Sequence, residues 1–259
     1  MISRALSKIS VVVAAIVFVL ATEVWREGGK HTIAAPLNQA NSTSPPASAA
    51  EYIWTEDSKS IVGEWVSAID RCLKDLPTDS AVIDLGCGNG LLLSRFRSRG
   101  WNLVGVDSSQ SGVKLARQKY PDIRFEVVDV TTDLSVVGYG SFGAVISTDV
   151  IEHIFLPRKY VANCFKVLRP GGRLVITTPY HGYAKNLAIA LANEWDNHLQ
   201  PLQDFGHIKF WSVESLSTLL FEAGFEGISW QGLGRVPHLW KDMLITAHKP
   251  GIGPKGPNR

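Results

Sequence analysis

Cysteine is scarce in this 259-residue chain, net charge is close to zero, and no apolar run is long enough to cross a bilayer as a straight helix. Each shortage excludes something. The three cysteines, Cys72, Cys87 and Cys164, are odd in number and far apart, so they frame neither a disulfide scaffold nor a CxxC metal site. They read as free thiols in a reducing compartment. A formal charge of +2 gives the whole molecule no strong pull on nucleic acid, which argues against such a partner. The longest apolar run covers residues 9–21. Thirteen helical residues span about 20 Å, against the roughly 30 Å of a hydrocarbon core. There is no internal repeat. What is present is a globular balance, 45% hydrophobic and 19% charged, sufficient for one substantial domain.

Composition divides the chain into four parts. Residues 1–31 carry the apolar run behind Arg4 and Lys8, and they read in two ways. One is a signal-peptide core, with Val19 and Ala21 as small residues before a cleavage point; the other is an uncleaved anchor with Val24 and Trp25 at the interface. Arg26 and Lys30 follow as closely as the first two cations precede, so flanking charge does not orient it. Residues 32–50 are rich in Ala, Ser, Asn and Pro, a flexible linker containing the acceptor triplet Asn41-Ser42-Thr43. A folded domain is expected over 51–248, followed by a Pro- and Gly-rich tail over 249–259 that is expected to be disordered.

Inside the domain, short apolar runs at 81–85, 103–106, 125–128, 144–146 and 174–177 alternate with stretches of helical spacing at 91–98, 111–119 and 158–168. A further helix is predicted over 61–76 and another over 213–223, with closing strands at 227–231 and 243–247. Strands alternating with helices mean βαβ units and a mostly parallel, doubly wound sheet; seven strands are expected.

Four motifs carry chemistry. Val82-Ile83-Asp84-Leu85-Gly86-Cys87-Gly88-Asn89-Gly90 runs off the first strand into a helix, and its glycines let the backbone turn tightly and approach a ligand. A plain βα turn or a nicotinamide-cofactor loop would look similar. Asp107 closes Leu103-Val104-Gly105-Val106 about twenty residues after the glycines, where an acid accepts from both ribose hydroxyls; it could equally cap the helix starting near Ser109. Asp129 follows Phe125-Glu126-Val127-Val128, placed for an adenine amino group or for a solvated turn. Leu168-Arg169-Pro170-Gly171-Gly172-Arg173-Leu174-Val175-Ile176 is a helix end, a turn and a buried strand in succession.

Taken in order, these segments resemble the class I S-adenosylmethionine-dependent methyltransferases, over roughly residues 81–179. The resemblance implies a Rossmann-like sheet in the order 3-2-1-4-5-7-6 with strand 7 antiparallel, and a donor held at the carboxyl ends of strands 1 and 2. It assigns Asp84, Gly86, Gly88 and Gly90 to the donor loop, Asp107 to the ribose, Asp129 to the adenine amine and Thr148 to the adenosyl surroundings. Asp84 two residues before Gly86, together with the Leu-Arg-Pro-Gly-Gly turn, counts against a dehydrogenase.

Asp149-Val150-Ile151-Glu152-His153 follows the fourth strand. In one helical turn Asp149, Glu152 and His153 would share a face, and His207 arrives later in Gly206-His207-Ile208-Lys209-Phe210. Two carboxylates and two imidazoles suit a divalent ion such as zinc, manganese or iron better than magnesium. This pattern resembles the ubiquinone-pathway O-methyltransferases and the small-RNA 3′-terminal 2′-O-methyltransferases, although Asp149 stands where those groups usually carry Glu. The other reading is that Glu152-His153 merely orders the substrate loop, leaving His153 or His181 as a simple base.

The long segment 180–211 is a candidate substrate cover. The expectation is therefore an O-methyltransferase acting on a small aromatic or lipidic hydroxyl, membrane-associated through its N-terminal segment, with the catalytic domain cytoplasmic. Methylation of an RNA 3′ end is the alternative, and a tethered, non-catalytic binding protein of the same fold is the third reading.

Overall fold

The computed structural model describes residues 52–55 and 63–251. The apolar run 9–21, the linker 32–50 with its Asn41 triplet, and the tail from residue 252 lie outside the described residues. The chain forms two compact units; of the described residues, 186–198 belong to one, and 52–55, 63–185 and 199–251 to the other.

The larger unit holds the sheet. The helix α1 (Gly63–Cys72) precedes β1 (Ala81–Leu85), α2 (Leu91–Ser94), β2 (Asn102–Asp107), α3 (Gln110–Lys119) and β3 (Arg124–Val127). Then come β4 (Phe142–Thr148), α4 (Pro157–Val167) and β5 (Leu168–Pro179). Two helices, α5 (Tyr183–Leu191) and α6 (Trp195–Leu199), fall in the long excursion, and α7 (Val213–Glu222), β6 (Glu226–Leu233) and β7 (Asp242–His248) close the fold. The strand order is β3-β2-β1-β4-β5-β7-β6, as expected. Only β7 runs against its neighbours, pairing antiparallel with both β5 and β6.

Strict alternation within the central strands sends side chains to two cores. Ile83, Val145, Ile176 and Ile245 face one core with Tyr160, Val161 and Cys164 of α4 and Leu216 and Leu220 of α7. Their neighbours Val82, Ala144, Ile146, Val175 and Leu244 face the other, against Trp65, Ala68 and Ile69 of α1 and Val113 and Ala116 of α3. Both faces are covered, so the strands are near-continuously apolar. Each buried Leu, Ile or Val contributes about 1.5–3 kcal/mol of transfer free energy.

Two elements differ from the expectation. The helix over 91–98 is one short α turn, α2, followed by a 3-10 turn at Arg97–Arg99, because Gly100 turns the chain left-handed straight afterwards. The Pro-Gly-Gly turn is absorbed into β5: Phe142 pairs with Leu168, and the register slips before Ala144 meets Arg173. A side chain at Gly172 would lie 2.8 Å from the Arg169 carbonyl oxygen and 3.0 Å from that of Phe142, so only glycine closes this bulge.

Strand order reverses between β1 and β4, which leaves a crevice at the carboxyl ends of those strands. Because β7 is antiparallel, its first residue, Asp242, reaches that same edge, opposite Pro179.

Candidate active site

At the β1–β2 side, the chain leaves Leu85 through Gly86 and Cys87, whose amides both donate to the Val106 carbonyl at 2.8 and 2.9 Å. Gly88 sits at φ +52°, and its amide donates to Asp107 Oδ2 at 2.8 Å. The other oxygen of Asp107 accepts from the Ser109 amide at 2.8 Å. Asp107 therefore clamps the glycine turn to the start of α3. Ser109 is the N-cap of that helix, its hydroxyl accepting from the Gly112 amide at 3.1 Å, so Asp107 is not the cap.

Beneath the turn, Asp84 is buried, and its Oδ1 has no hydrogen-bond partner among the described residues. Burial, reinforced by the neighbouring Asp107, pushes its carboxyl up to about 8. Asp129 lies two residues past β3, exposed, with Oδ1 accepting from both the amide and the hydroxyl of Thr131 at 2.8 Å. It orders its own turn. Gly90, at φ +76°, caps α2, and Thr148 ends β4 beside Thr177.

The acceptor side is built from the ends of β4, β5 and β7. The turn after β4 is a 3-10 turn over Ile151–His153 and does not reach back to Asp149, which sits at φ +52°. Consequently Asp149 does not share a face with Glu152 and His153; its Oδ1 accepts from Thr177 Oγ1 at 3.4 Å. Glu152 is 1% exposed, and its Oε2 accepts from Thr178 Oγ1 at 2.9 Å while Oε1 has no hydrogen-bond partner among the described residues. Its main-chain carbonyl accepts from the amides of Ile208 and Lys209, both at 2.9 Å, and the Trp211 indole donates to the Ile151 carbonyl at 3.3 Å. Those bonds pin the later segment to the turn and bring His207 Nε2 to 4.0 Å from Glu152 Oε1. The His153 and His207 rings meet edge to face at 4.9 Å, and His153 Nδ1 lies 3.2 Å from the Gly206 carbonyl.

One ligand atom each from Glu152, His153 and His207 gathers within 4.8 Å of the others. The structure brings together three of the four expected ligands and leaves Asp149 out. His181 is buried against the Phe210 ring at 5.2 Å.

Burial and mutual repulsion raise the acids at this end. Asp149 is pushed up to about 7 by desolvation and then by Asp242, and Glu152 stands well above the carboxylate range from desolvation and then Asp149. Asp242, 4% exposed, is raised by burial as well. Lys185, equally buried, donates to the Lys241 carbonyl at 3.1 Å and is lowered to about 8 by burial and then by Arg235. Asp242, Thr178 and Lys185 were not singled out from the sequence. Asp242 arrives only through the antiparallel register of β7, which no local pattern encodes; Thr178 had one weak signal, its place at the end of the fifth apolar run.

A methyltransferase-domain family model matches residues 58–229. A ubiquinone biosynthesis O-methyltransferase of Cereibacter sphaeroides is 26% identical over 232 residues, covering 88% of this chain and 87% of that protein. One from Thiobacillus denitrificans is 27% identical, over 64% of this chain and 75% of its own length. Among solved structures, phosphoethanolamine N-methyltransferase 2 of Haemonchus contortus, in complex with S-adenosyl-L-methionine, superposes with a TM-score of 0.58 at 18% identity. That match covers 72% of this chain and 52% of the solved one, so this chain spans about half of it. The [4+2]-cyclase SpnF also superposes, with a TM-score of 0.58 at 17% identity, over 72% of this chain and 82% of its own, evidence that the fold alone does not name a reaction. The family match runs from ahead of β1 into β6 and takes in the glycine turn, Asp107, Glu152 and His207: this chain belongs to the methyltransferase-domain family and is an S-adenosylmethionine-dependent methyltransferase.

Proposed function

We propose that the enzyme methylates a hydroxyl of a small aromatic acceptor, with catechol-like vicinal hydroxyls preferred. The observation that carries this reading is the buried Glu152 carboxyl, one oxygen without a hydrogen bond among the described residues, facing two imidazoles at the acceptor end of the crevice. A buried acceptor atom without a donor calls for a proton, a cation or a substrate group. One carboxylate with two histidines is a donor set suited to a divalent transition metal. Glu152, His153 and His207 would hold that ion, and when bound it supplies Lewis acidity that lowers the pKa of an acceptor hydroxyl.

The residues of the chain do the rest. Thr178 fixes one carboxylate oxygen, and the Glu152 carbonyl holds the strip that carries His207. In the reaction the sulfonium S–CH3 bond breaks as an O–CH3 bond forms, the hydroxyl proton leaves to a base, and S-adenosylhomocysteine departs. Without an ion, His153 or His181 takes that proton. Alignment of oxygen and methyl carbon provides most of the acceleration. The names of the relatives support a hydroxyl as acceptor.

We extend the proposal to place. The run 9–21 serves as a membrane tether with the catalytic domain on the cytoplasmic side, a reading supported by three free thiols and by a donor made in the cytosol. The full chain is expected to fractionate with membranes and a chain starting near residue 51 to stay soluble; a secreted product lacking residues 1–21 would overturn it. For the acceptor, catechols should be methylated faster than matched monophenols, and exhaustive chelation should suppress the reaction. Full activity after chelation removes the ion and leaves the histidine base. Methylation of RNA 3′ ends in place of phenols defeats the proposal.

A further inference from the structure

The segment Tyr52-Ile53-Trp54-Thr55 crosses the donor end of the sheet, and its contacts are specific. The Trp54 amide donates to Ser111 Oγ at 2.9 Å, and Ser109 Oγ donates to the Tyr52 carbonyl at 2.8 Å. The two serine hydroxyls are themselves 3.0 Å apart. Tyr52 and Trp54 meet edge to face at 5.3 Å. The Trp54 indole lies against two glycines at once. A side chain at Gly88 would come within 2.3 Å of its Cζ2, and one at Gly112 within 2.8 Å of its Cδ1.

Gly112 is informative because it sits inside α3, where glycine weakens a helix and needs a reason. The reason visible here is room for the indole and for the Gly88 carbonyl oxygen, 3.0 Å from where its Cβ would be. Both glycines are therefore cleared for one ring. The network also reaches Asp107: Ser109 holds the Tyr52 carbonyl through its hydroxyl and Asp107 Oδ1 through its amide, while Gly88, beneath the indole, holds Asp107 Oδ2.

We infer that Tyr52–Thr55 is a strap that closes over the methyl donor, with Trp54 a donor-binding residue. The inference rests on the glycine turn and Asp107 being the donor site. A ligand that engages Asp107 engages the turn from which the strap hangs, so donor binding and strap docking strengthen each other by the same factor. The strap also excludes water from the donor end while the methyl group is transferred.

Calorimetric titration of the full chain with S-adenosylhomocysteine tests this. Trp54→Ala should weaken binding by about tenfold or more, Trp54→Phe by about threefold or less, since a ring is retained. Ser111→Ala leaves every strap side chain in place and removes one tether, and it should weaken binding by about threefold. The melting temperature without ligand should barely move, while the upward shift caused by S-adenosylhomocysteine shrinks in the order Phe, Ser111→Ala, Trp54→Ala. Wild-type affinity in both Trp54→Ala and Ser111→Ala overturns the inference. Tighter binding in Trp54→Ala also overturns it, making the strap a plug. A Trp54→Ala chain that fails to fold leaves the decision to Trp54→Phe and Ser111→Ala. Failure of the wild-type chain to bind S-adenosylhomocysteine would instead remove the donor reading, and the strap with it.

Discussion

The two ends of the crevice are made differently. The donor end uses main-chain amides and one loop: Gly88 and Ser109 hold Asp107, and all lie within a short stretch around β1 and β2. The acceptor end uses side chains from distant places, with Glu152 on the turn after β4, Thr178 in β5, His207 late in the long excursion and Asp242 at the start of β7. Burial raises one carboxyl, Asp84, beneath the glycine turn, whereas at the other end a low-dielectric setting raises Asp149, Glu152 and Asp242 together. On the proposed reading, one end serves the methyl donor and the other the acceptor.

If that division is right, changes at the acceptor end should act on turnover and changes at the donor end on affinity. The largest effect is expected from His207→Ala, which should lower kcat by about 100-fold or more while the dissociation constant of S-adenosylhomocysteine moves by less than about threefold. Comparable losses in both quantities would erase the division. Asp107→Ala comes next: losing a charged acceptor should weaken donor binding by about 1.5–3 kcal/mol, measured by calorimetry, and unchanged affinity would show that the clamp does not serve the donor.

Asp84 allows a test without any ligand. Its carboxyl, pushed up to about 8, stands above the ordinary value of 3.8, so the folded state holds the proton more tightly than the unfolded one. Its contribution is fully present below about pH 4 and is lost as pH rises through 8. Asp84→Asn, which cannot ionise, should therefore gain on the wild type across that window, reaching about 10 °C or more in melting temperature near pH 8. A difference that stays flat with pH would mean the carboxyl is not held neutral. The smallest effect is expected from Thr178→Val, which deprives Glu152 Oε2 of its donor. It should cost about 1 kcal/mol in kcat/KM, with donor affinity intact.

Much of the fold was legible because its signals are local. The run 81–85 is β1 residue for residue, and alternation carries Val82 and Ile83 to opposite cores as the pattern required. The glycine turn and Asp107 were readable for the same reason, their partners being near in sequence. The spacing over 149–153 would suit one helical turn, yet only Ile151–His153 turns, in a tighter 3-10 form, because Asp149 is left-handed and its amide is taken by the Thr177 carbonyl at 3.1 Å. That bond comes from the neighbouring strand, so no spacing rule could anticipate it.

The sequence by itself determined the sheet, its order through a family resemblance, the glycine-rich turn after β1 and the roster of acids and histidines. Periodicity and glycine placement act over a few residues and survive without knowledge of what packs nearby. Only the tertiary structure decided that His207 joins Glu152 and His153, that Asp149 turns away to Thr177, and that Trp54 lies on Gly88 and Gly112. Those outcomes depend on which carbonyls a distant strand leaves available and on which surfaces lack a side chain, and both exist only once the sheet has formed.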